Sequence, residues 1–396
     1  MRYSRLDLSI IDRLISLLGQ SKINKSKTSS SILKKLNYIY PDNKNEYSKI
    51  VDLYIDHLNS DLLTNFGRRA HICLSLISLN EGANFSNITM KDSVDIVDPL
   101  FVIGLPRSGT TNLHNMLIDN FNYSGLKYWQ LTSPNPIFDN NSLDTLARKT
   151  RSLLGFCLYR YLVPSIQSMH KVKMTTYEEC WHFQKIMFLC YNYVIQLKFF
   201  EFGDELLNVD TSYIYKRYKR LIQQSTESDK VYALKCPEHM IFLDNIDKVF
   251  PKSEIVWIHR DPYDSLISYC SMVNSVWELF FGIVDKKEVG QFVLELFDKM
   301  IKRTIIYQSK NDKIINISYN KLISNRDKVI NELSEKLDRK IEISKKATES
   351  NFFKNKYNKN KYDYGISRDN VYDRLSYYND NFSDYLKMKK SNNYVN

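Results

Sequence analysis

The chain is poor in cysteine, and none of its cysteines stand close together. Its 396 residues hold six, without a pair at the short spacing of zinc or redox motifs: Cys73, Cys157, Cys180, Cys190, Cys236 and Cys270. We interpret them as reduced, mostly buried thiols. The sequence also has no grouping of His, Cys and Asp at metal-ligand spacing, so it predicts no metal centre.

Long uninterrupted apolar runs are missing too. The longest, "IMFLCYNYVIQLKFF" from Ile186, is interrupted and shorter than the ~20 residues that a membrane span requires. The start, "MRYSRLDLSIIDRLISLLGQ", alternates charged and apolar side chains and lacks the continuous apolar core of a secretory signal. We therefore expect a soluble, cytoplasmic protein without a transmembrane segment.

Positive charge predominates, with a formal net charge of +11 and a pI near 9.1. Such a charge favours an anionic partner, but the joint richness in Lys, Asn, Ile and Tyr is equally typical of AT-rich codon usage. The basic and aromatic segment "FFKNKYNKNKYDYG" (352–365) has no accompanying nucleic-acid module, so we expect no nucleic-acid partner. At 43% hydrophobic composition, the chain can bury a substantial core.

The order of apolar patterns predicts a helical region followed by an α/β domain. Residues Leu6 to Leu18 have the spacing of an amphipathic helix, "SKINKSKTSSS" from Ser21 is typical of a polar connector, and further helices are expected from Glu46 to about Leu79. Four continuous apolar runs then indicate strands buried on both faces: 99–105, 231–236, 254–260 and 313–319. We expect an N-terminal helical region (1–95) and a three-layer α/β/α sandwich with a mostly parallel sheet (96–396).

The stretch "FVIGLPRSGTTNLHNML", from Phe101 to Leu117, is typical of a strand, a phosphate-binding loop and a helix start. Gly104 and Gly109 keep the spacing of the nucleotide-triphosphate loop, but Thr110 stands where that loop has its lysine. The cation is Arg107, inside the loop, where it can pair with phosphate oxygens. Hydroxyl groups of Ser108, Thr110 and Thr111 and the helix N-terminus complete a predicted anion site.

A second signature, "IVWIHRDPYDSLISY", places Arg260 at the end of a strand. Asp261 is a plausible helix cap, Pro262 a first helical residue, and Ser268 lies two turns along that helix. Ligands of open α/β sheets bind where strands end, so Arg260 and Ser268 could surround a second phosphate. His259-Arg260-Asp261 also mimics the kinase catalytic triplet, but Leu266 stands where a kinase has asparagine.

Together "GLPRSGTTNLH" and "HRDPYDSLISY" resemble the two signatures of sulfotransferases that use 3′-phosphoadenosine-5′-phosphosulfate (PAPS), specifically their bacterial branch. Segments similar to family segments follow in order: "WQLTSPNP", "MHKVKMTTYEEC", "LKCPEHM", "ISYNKL" and the tail from Tyr362. The resemblance implies a sulfuryl donor, PAPS, and a metal-free transfer to a small-molecule, glycan, lipid or peptide acceptor.

The resemblance also implies roles for single residues. It assigns Arg107, Ser108, Gly109, Thr110 and Thr111 to the 5′-phosphosulfate, Arg260 and Ser268 to the 3′-phosphate, and Lys235 to the departing oxygen. Tyr319 is a candidate for adenine contact. The lysines at 354, 356, 359 and 361 lie where many sulfotransferases have a lid, although a solvated charge run is the alternative.

The acceptor-side base is the least determined residue. Relatives use a histidine just after the strand-end lysine or a glutamate after the loop helix, whereas this chain has Pro237 and Gln130 near those positions. The candidates left are Glu178, Glu179, His239 and His170, since a shielded carboxylate or an imidazole can abstract a proton. Two other functions stay open: a P-loop kinase, which would need Lys at position 110, and a degenerate nucleotide-binding protein without a base.

Overall fold

The computed structural model describes residues 22–43, 47–86, 95–163, 172–225, 230–342 and 363–386. The predicted helix from Leu6 to Leu18, His170 and the four lysines between 354 and 361 lie outside these ranges. In chain order the α-helices are α1 (Lys25–Ile39), α2 (Ser48–Leu58), α3 (Asn65–Ser86), α4 (Thr110–Asn120), α5 (Tyr128–Thr132), α6 (Asn141–Leu162), α7 (Trp181–Ile186), α8 (Asn192–Leu197), α9 (Phe200–Asn208), α10 (Ser212–Ser225), α11 (Leu243–Val249), α12 (Pro262–Phe281), α13 (Lys286–Gln308), α14 (Tyr319–Ser324), α15 (Arg326–Lys336), α16 (Arg368–Arg374) and α17 (Ser376–Leu386). The strands are β1 (Leu100–Ile103), β2 (Tyr123–Ser124), β3 (Val231–Lys235), β4 (Ile255–His259) and β5 (Ile314–Ser318), and short 3₁₀ helices cover Pro41–Asn43 and Pro237–Ile241.

The five strands form one parallel sheet in the order β2-β3-β1-β4-β5. β1 is central: Phe101 lies opposite Leu234 of β3 and Ile255 of β4. The four predicted strands are confirmed. β2 was not predicted, because Tyr123 and Ser124 are too few to show a pattern. β3 and β4 lie on opposite sides of β1, so the direction in which strands are added to the sheet reverses at β1. Ligands of open α/β sheets bind at such a reversal.

Helices cover both faces of this sheet. On one face Val102 and Val256 pack into a core with residues of α4 and α15, such as Leu117 and Leu333. On the other face, the ring of Phe101 contacts Phe250 and that of Trp257 contacts Phe382 of α17. Burial on both faces explains why the strands are continuously apolar. The predicted three-layer α/β sandwich is confirmed.

The chain divides into two compact units. One holds the described residues within Met1–Ile96, Leu126–Ser228 and Ser271–Asp285 and is helical. In its core the Tyr54 hydroxyl is hydrogen-bonded to Ser75 Oγ at 2.8 Å and to His71 Nδ1 at 2.9 Å. The other unit holds Val97–Gly125, Asp229–Cys270 and Lys286–Asn396, as far as these are described, and contains the sheet. The boundary near residue 95, between the N-terminal helical region and the α/β domain, stays a prediction.

The predicted polar connector from Ser21 is wrong over much of its length, because α1 begins at Lys25. Asn24 caps the helix, its side chain accepting a hydrogen bond from Lys27 N at 3.0 Å. Ile32, Leu36 and Ile39 follow at helical spacing and are fully buried. Their burial outweighs the weak helix preference of the serines that suggested a connector.

Several predicted features can be compared with the described residues. All six cysteines are free thiols; Cys73 and Cys157 are exposed and the other four are buried. In the described ranges no single helix is long and apolar enough to cross a bilayer, although the bent pair α12 and α13 reaches that length and composition together. No group of three His, Cys, Asp or Glu side chains is placed to hold a metal within the same ranges.

Candidate active site

The loop between β1 and α4 has backbone φ angles that few residue types adopt without strain. Arg107 has φ +69° and Gly109 has φ +99°. A Cβ atom on Gly109 would lie 2.5 Å from Cδ2 of Tyr319, so this position accepts only glycine without strain. A positive φ at a non-glycine residue such as Arg107 costs energy and is concentrated at binding sites.

The start of α4 has the properties of an anion site. No side chain among the described residues caps this helix, so its first N–H groups lack the partner that an N-cap supplies. Ser108 is 1% exposed, its N–H donates to Leu105 O at 3.0 Å, and its hydroxyl has no hydrogen-bond partner within the described residues. Buried polar atoms are almost always paired. An oxygen of a bound anion fits both the hydroxyl and the helix N-terminus.

The two sequence signatures meet in one cluster. Arg107 Nε donates to Ser268 Oγ at 3.1 Å, and Arg260 Nη1 donates to the carbonyl oxygen of Arg107 at 2.7 Å. The Arg260 guanidinium lies 4.6 Å from the ring centroid of Tyr319, whose ring packs on Gly109. Two guanidinium groups thus share a small region at the carboxyl end of β1 and β4. Within the described residues, Arg260 forms no ion pair with a carboxylate.

The helix that follows Arg260 begins as the sequence predicts. Pro262 is its first residue, and Asp261 Oδ1 accepts a hydrogen bond from Asp264 N at 2.9 Å. The second carboxylate oxygen accepts from Arg368 Nη1 at 2.6 Å and from Tyr372 Oη at 2.5 Å. These last two residues were missed by the sequence analysis. They lie over a hundred positions away, in the tail segment that resembles the family without a motif assigned to it.

Lys235 lies beside the loop. It is the last residue of β3, it is fully buried, and its Nζ donates to Thr111 Oγ1 at 3.2 Å. Because β3 and β1 are neighbouring parallel strands, the end of β3 and the start of α4 occupy the same edge of the sheet. The structure therefore brings together Lys235, the loop residues Arg107 to Thr111, Arg260, Ser268 and Tyr319.

His239, one of the four candidate bases, lies in the 3₁₀ helix that follows β3. Its ring is fully buried and contacts the Phe101 ring edge to face, with centroids 5.1 Å apart. Burial lowers the pKa of this imidazole to about 3, because the charged form is poorly solvated there. In this structure the ring has no surface through which an acceptor could reach it.

Glu178 and Glu179 belong to the helical unit. Glu178 is buried, its N–H donates to Leu126 O at 3.0 Å, and its Oε1 accepts from the Thr176 hydroxyl at 3.4 Å. Glu179 is partly exposed. Burial and the nearby charge of Glu178 raise the pKa of the Tyr128 hydroxyl, so a carboxylate and a protonated phenol lie close together here.

Comparisons with known proteins agree with this geometry. The fold is similar to that of sulfotransferase STF1 from Mycobacterium tuberculosis H37Rv, at 18% identity with a TM-score of 0.70, covering 88% of this chain and 98% of that one. Sulfotransferase STF9 from Mycobacterium avium is similar at 20% identity with a TM-score of 0.66, covering 87% and 92%. No curated protein sequence matches significantly. The model of the sulfotransferase family matches residues 99–342, which is more than half of the chain, and the protein therefore belongs to the sulfotransferase family.

Proposed function

We propose that the protein transfers a sulfuryl group from PAPS to an acceptor hydroxyl or amine by in-line displacement. The observation that carries the proposal is the cluster of Arg107, Arg260 and Ser268 beside an uncapped helix N-terminus. A donor with phosphate groups at two ends suits a site with two arginines close together. Family membership supports sulfuryl transfer as the reaction.

The residues divide between the two ends of the donor. We assign the 5′-phosphosulfate to the loop, where the helix N-terminus and a guanidinium converge on one anion: Arg107, Ser108, Gly109, Thr110 and Thr111. We assign the 3′-phosphate to Arg260 and Ser268. Tyr319, which packs between Gly109 and Arg260, would border the nucleotide and is the candidate for adenine contact.

The chemistry depends on stabilising the leaving phosphate. As the bond from sulfur to the bridging oxygen breaks, negative charge grows on the 5′-phosphate, and donors already in place stabilise it without reorganising. The Lys235 ammonium, adjacent to Thr111, is suited to that oxygen. A sulfuryl group carries less charge than a terminal phosphoryl group, so the transfer does not require the loop lysine and magnesium of triphosphate enzymes.

The acceptor must lose a proton as it attacks sulfur. We propose Glu178 or Glu179 as the base, since His239 is fully buried and its pKa of about 3 leaves the imidazole little affinity for a proton. Glu178 is shielded from water, which suits a carboxylate that must take up a proton near neutral pH. His170 is the next candidate.

Donor binding is tested by thermal unfolding with 3′-phosphoadenosine-5′-phosphate (PAP) in the absence of magnesium. A ligand at 100 times its dissociation constant stabilises the folded state by ~2.7 kcal/mol, so a clear rise in Tm is expected. Stabilisation by ATP with magnesium but not by PAP would overturn the proposal in favour of a kinase. Binding of PAP with no transfer of label from PAPS to any metabolite in an extract would favour a degenerate nucleotide-binding protein.

A further inference from the structure

The last described segment of the chain packs around the strand end that carries Arg260. The Tyr378 hydroxyl is hydrogen-bonded to His259 Nδ1 at 2.9 Å, and the Phe382 ring stacks on the His259 ring with centroids 4.3 Å apart. The segment formed by α16 and α17 therefore contacts the residue before Arg260 directly.

The same segment also binds the residue after Arg260. Asp261 is 6% exposed, and its Oδ2 accepts from both Arg368 and Tyr372 of α16. The Arg368 guanidinium lies 4.6 Å from the Tyr263 ring centroid, and its second terminal nitrogen is 3.5 Å from Asp264 Oδ1. With Oδ1 capping α12, both oxygens of the Asp261 carboxylate are used.

A carboxylate next to Arg260 acts against the function proposed for that arginine. It carries a negative charge beside a site for a phosphate, and in partly buried surroundings such repulsion is weakly screened. Without Arg368, Asp261 Oδ2 would keep the Tyr372 hydroxyl but lose its positively charged partner, and it would compete with the ligand for the Arg260 guanidinium, because arginine pairs well with carboxylates. Arg368 supplies the opposite charge and occupies that oxygen.

We propose that Arg368 is a positioning residue of the donor site, which binds Asp261 and so keeps Arg260 available for the 3′-phosphate. The proposal rests on the function proposed above. It assigns Arg368 no contact with the donor, and its effect is confined to nucleotides that carry a 3′-phosphate.

Arg374 offers a matched control on the same helix. Its Nε and Nη2 bind Asp298 Oδ2 at 3.0 and 2.8 Å, so it anchors α16 to α13 without contacting Asp261. Binding of PAP and AMP is measured by calorimetry for wild type, Arg368→Gln and Arg374→Gln. We expect Arg368→Gln to weaken PAP binding by ~10-fold or more while changing AMP binding little, the size expected for hydrogen bonds between charged groups. Arg374→Gln should leave the ratio of the two affinities unchanged.

A second pair of variants separates charge from folding. Asp261→Asn keeps a capping side chain but removes the negative charge. If the proposal is right, Arg368→Gln no longer lowers the preference for PAP when it is made in the Asp261→Asn background, and Arg368→Lys alone recovers part of that preference. If Arg368→Gln alone folds poorly, the double variant with Asp261→Asn and the Arg368→Lys variant still test the proposal.

The outcomes distinguish this inference from the function on which it rests. Equal weakening of PAP and AMP in Arg368→Gln and Arg374→Gln would show only that α16 must dock, and the inference would be overturned. An unchanged preference for PAP in Arg368→Gln would overturn it as well, with donor binding intact. If the wild-type protein does not prefer PAP to AMP, the proposed function itself fails.

Discussion

Arg107 and Ser268 are hydrogen-bonded, Nε to Oγ at 3.1 Å, across 161 residues of sequence. The first belongs to the loop after β1 and the second to the helix after β4. These strands are parallel neighbours, so the segments that follow them begin at the same edge of the sheet. The bond joins the loop cation and the helix hydroxyl in one cluster of the candidate site.

The first prediction concerns the two arginines. Arg260→Ala should remove the preference for PAP over AMP, whereas Arg107→Ala should weaken the binding of both nucleotides. A loss of ~10–100-fold in affinity is expected where a nucleotide loses its hydrogen bonds to a guanidinium. Calorimetry with both nucleotides measures the ratio. Arg326→Ala, which removes a partly buried ion pair with Asp119 (Nη2 to Oδ2, 3.9 Å), is a control that should bind like wild type. Equal losses for the two nucleotides in Arg260→Ala would contradict the assignment of the 3′-phosphate.

The second prediction concerns the glycine that begins α4. Gly109→Ala should lower the free energy of unfolding by ~1–3 kcal/mol and abolish stabilisation by PAP, because the new methyl group meets the Tyr319 ring at a positive φ. In Gly155→Ala, within α6, the added Cβ contacts no atom within 4 Å. That variant should be up to ~1 kcal/mol more stable than wild type. Urea denaturation with and without PAP compares them, and a Gly109→Ala variant that binds PAP normally would refute the loop assignment.

The third prediction concerns the base. Glu178→Gln or Glu179→Gln should retain PAP binding but lose ~10²–10⁴-fold in turnover. Release of PAP from PAPS in the presence of an acceptor measures turnover, and the thermal shift with PAP measures binding. Glu201→Gln, an exposed carboxylate in the same helical unit, should be fully active. If both glutamate variants turn over normally, the base lies elsewhere, and His170→Ala becomes the variant to measure.

The fourth prediction concerns acid sensitivity. Burial lowers the pKa values of His71, His239 and His259 to about 3, whereas an unfolded histidine titrates at about 6.5. Below pH ~6.5 these histidines become protonated in the unfolded chain but stay neutral in the folded protein. Their contribution to the free energy of unfolding is therefore fully present above pH ~6.5 and is lost as the pH falls towards 3. Urea denaturation between pH 7.5 and 5 should show decreasing stability. His239→Gln should reduce the number of protons taken up on unfolding by up to about one, so the free energy of unfolding should depend less steeply on pH. An unchanged slope would contradict the burial of a neutral His239.

Local chemistry in the sequence was sufficient to predict the strands, the loop and the helix cap around the candidate site. The continuous apolar runs around Phe101 and Trp257 predicted strands covered on both faces, because an alternating pattern would have left one face to water. Gly104, Arg107 and Gly109 predicted the loop, since a glycine-framed turn that leads into a helix N-terminus is a ready site for an anion. The helix cap at Asp261 was also predictable from the sequence, because Asp at the N-cap and Pro at the first helical position are local preferences of helix N-termini.

Only the tertiary structure decided which of these local features meet. The strand order places β1 between β3 and β4, and this alone brings Lys235 to Thr111 and Ser268 to Arg107. Pairing of Asp261 with Arg368 joins residues 107 positions apart, and no periodicity in either segment records it. Burial of His239, in the 3₁₀ helix after β3, depends on packing against Phe101 of β1. Such contacts arise from the packing of distant elements, and a one-dimensional pattern carries only the preferences of neighbours along the chain.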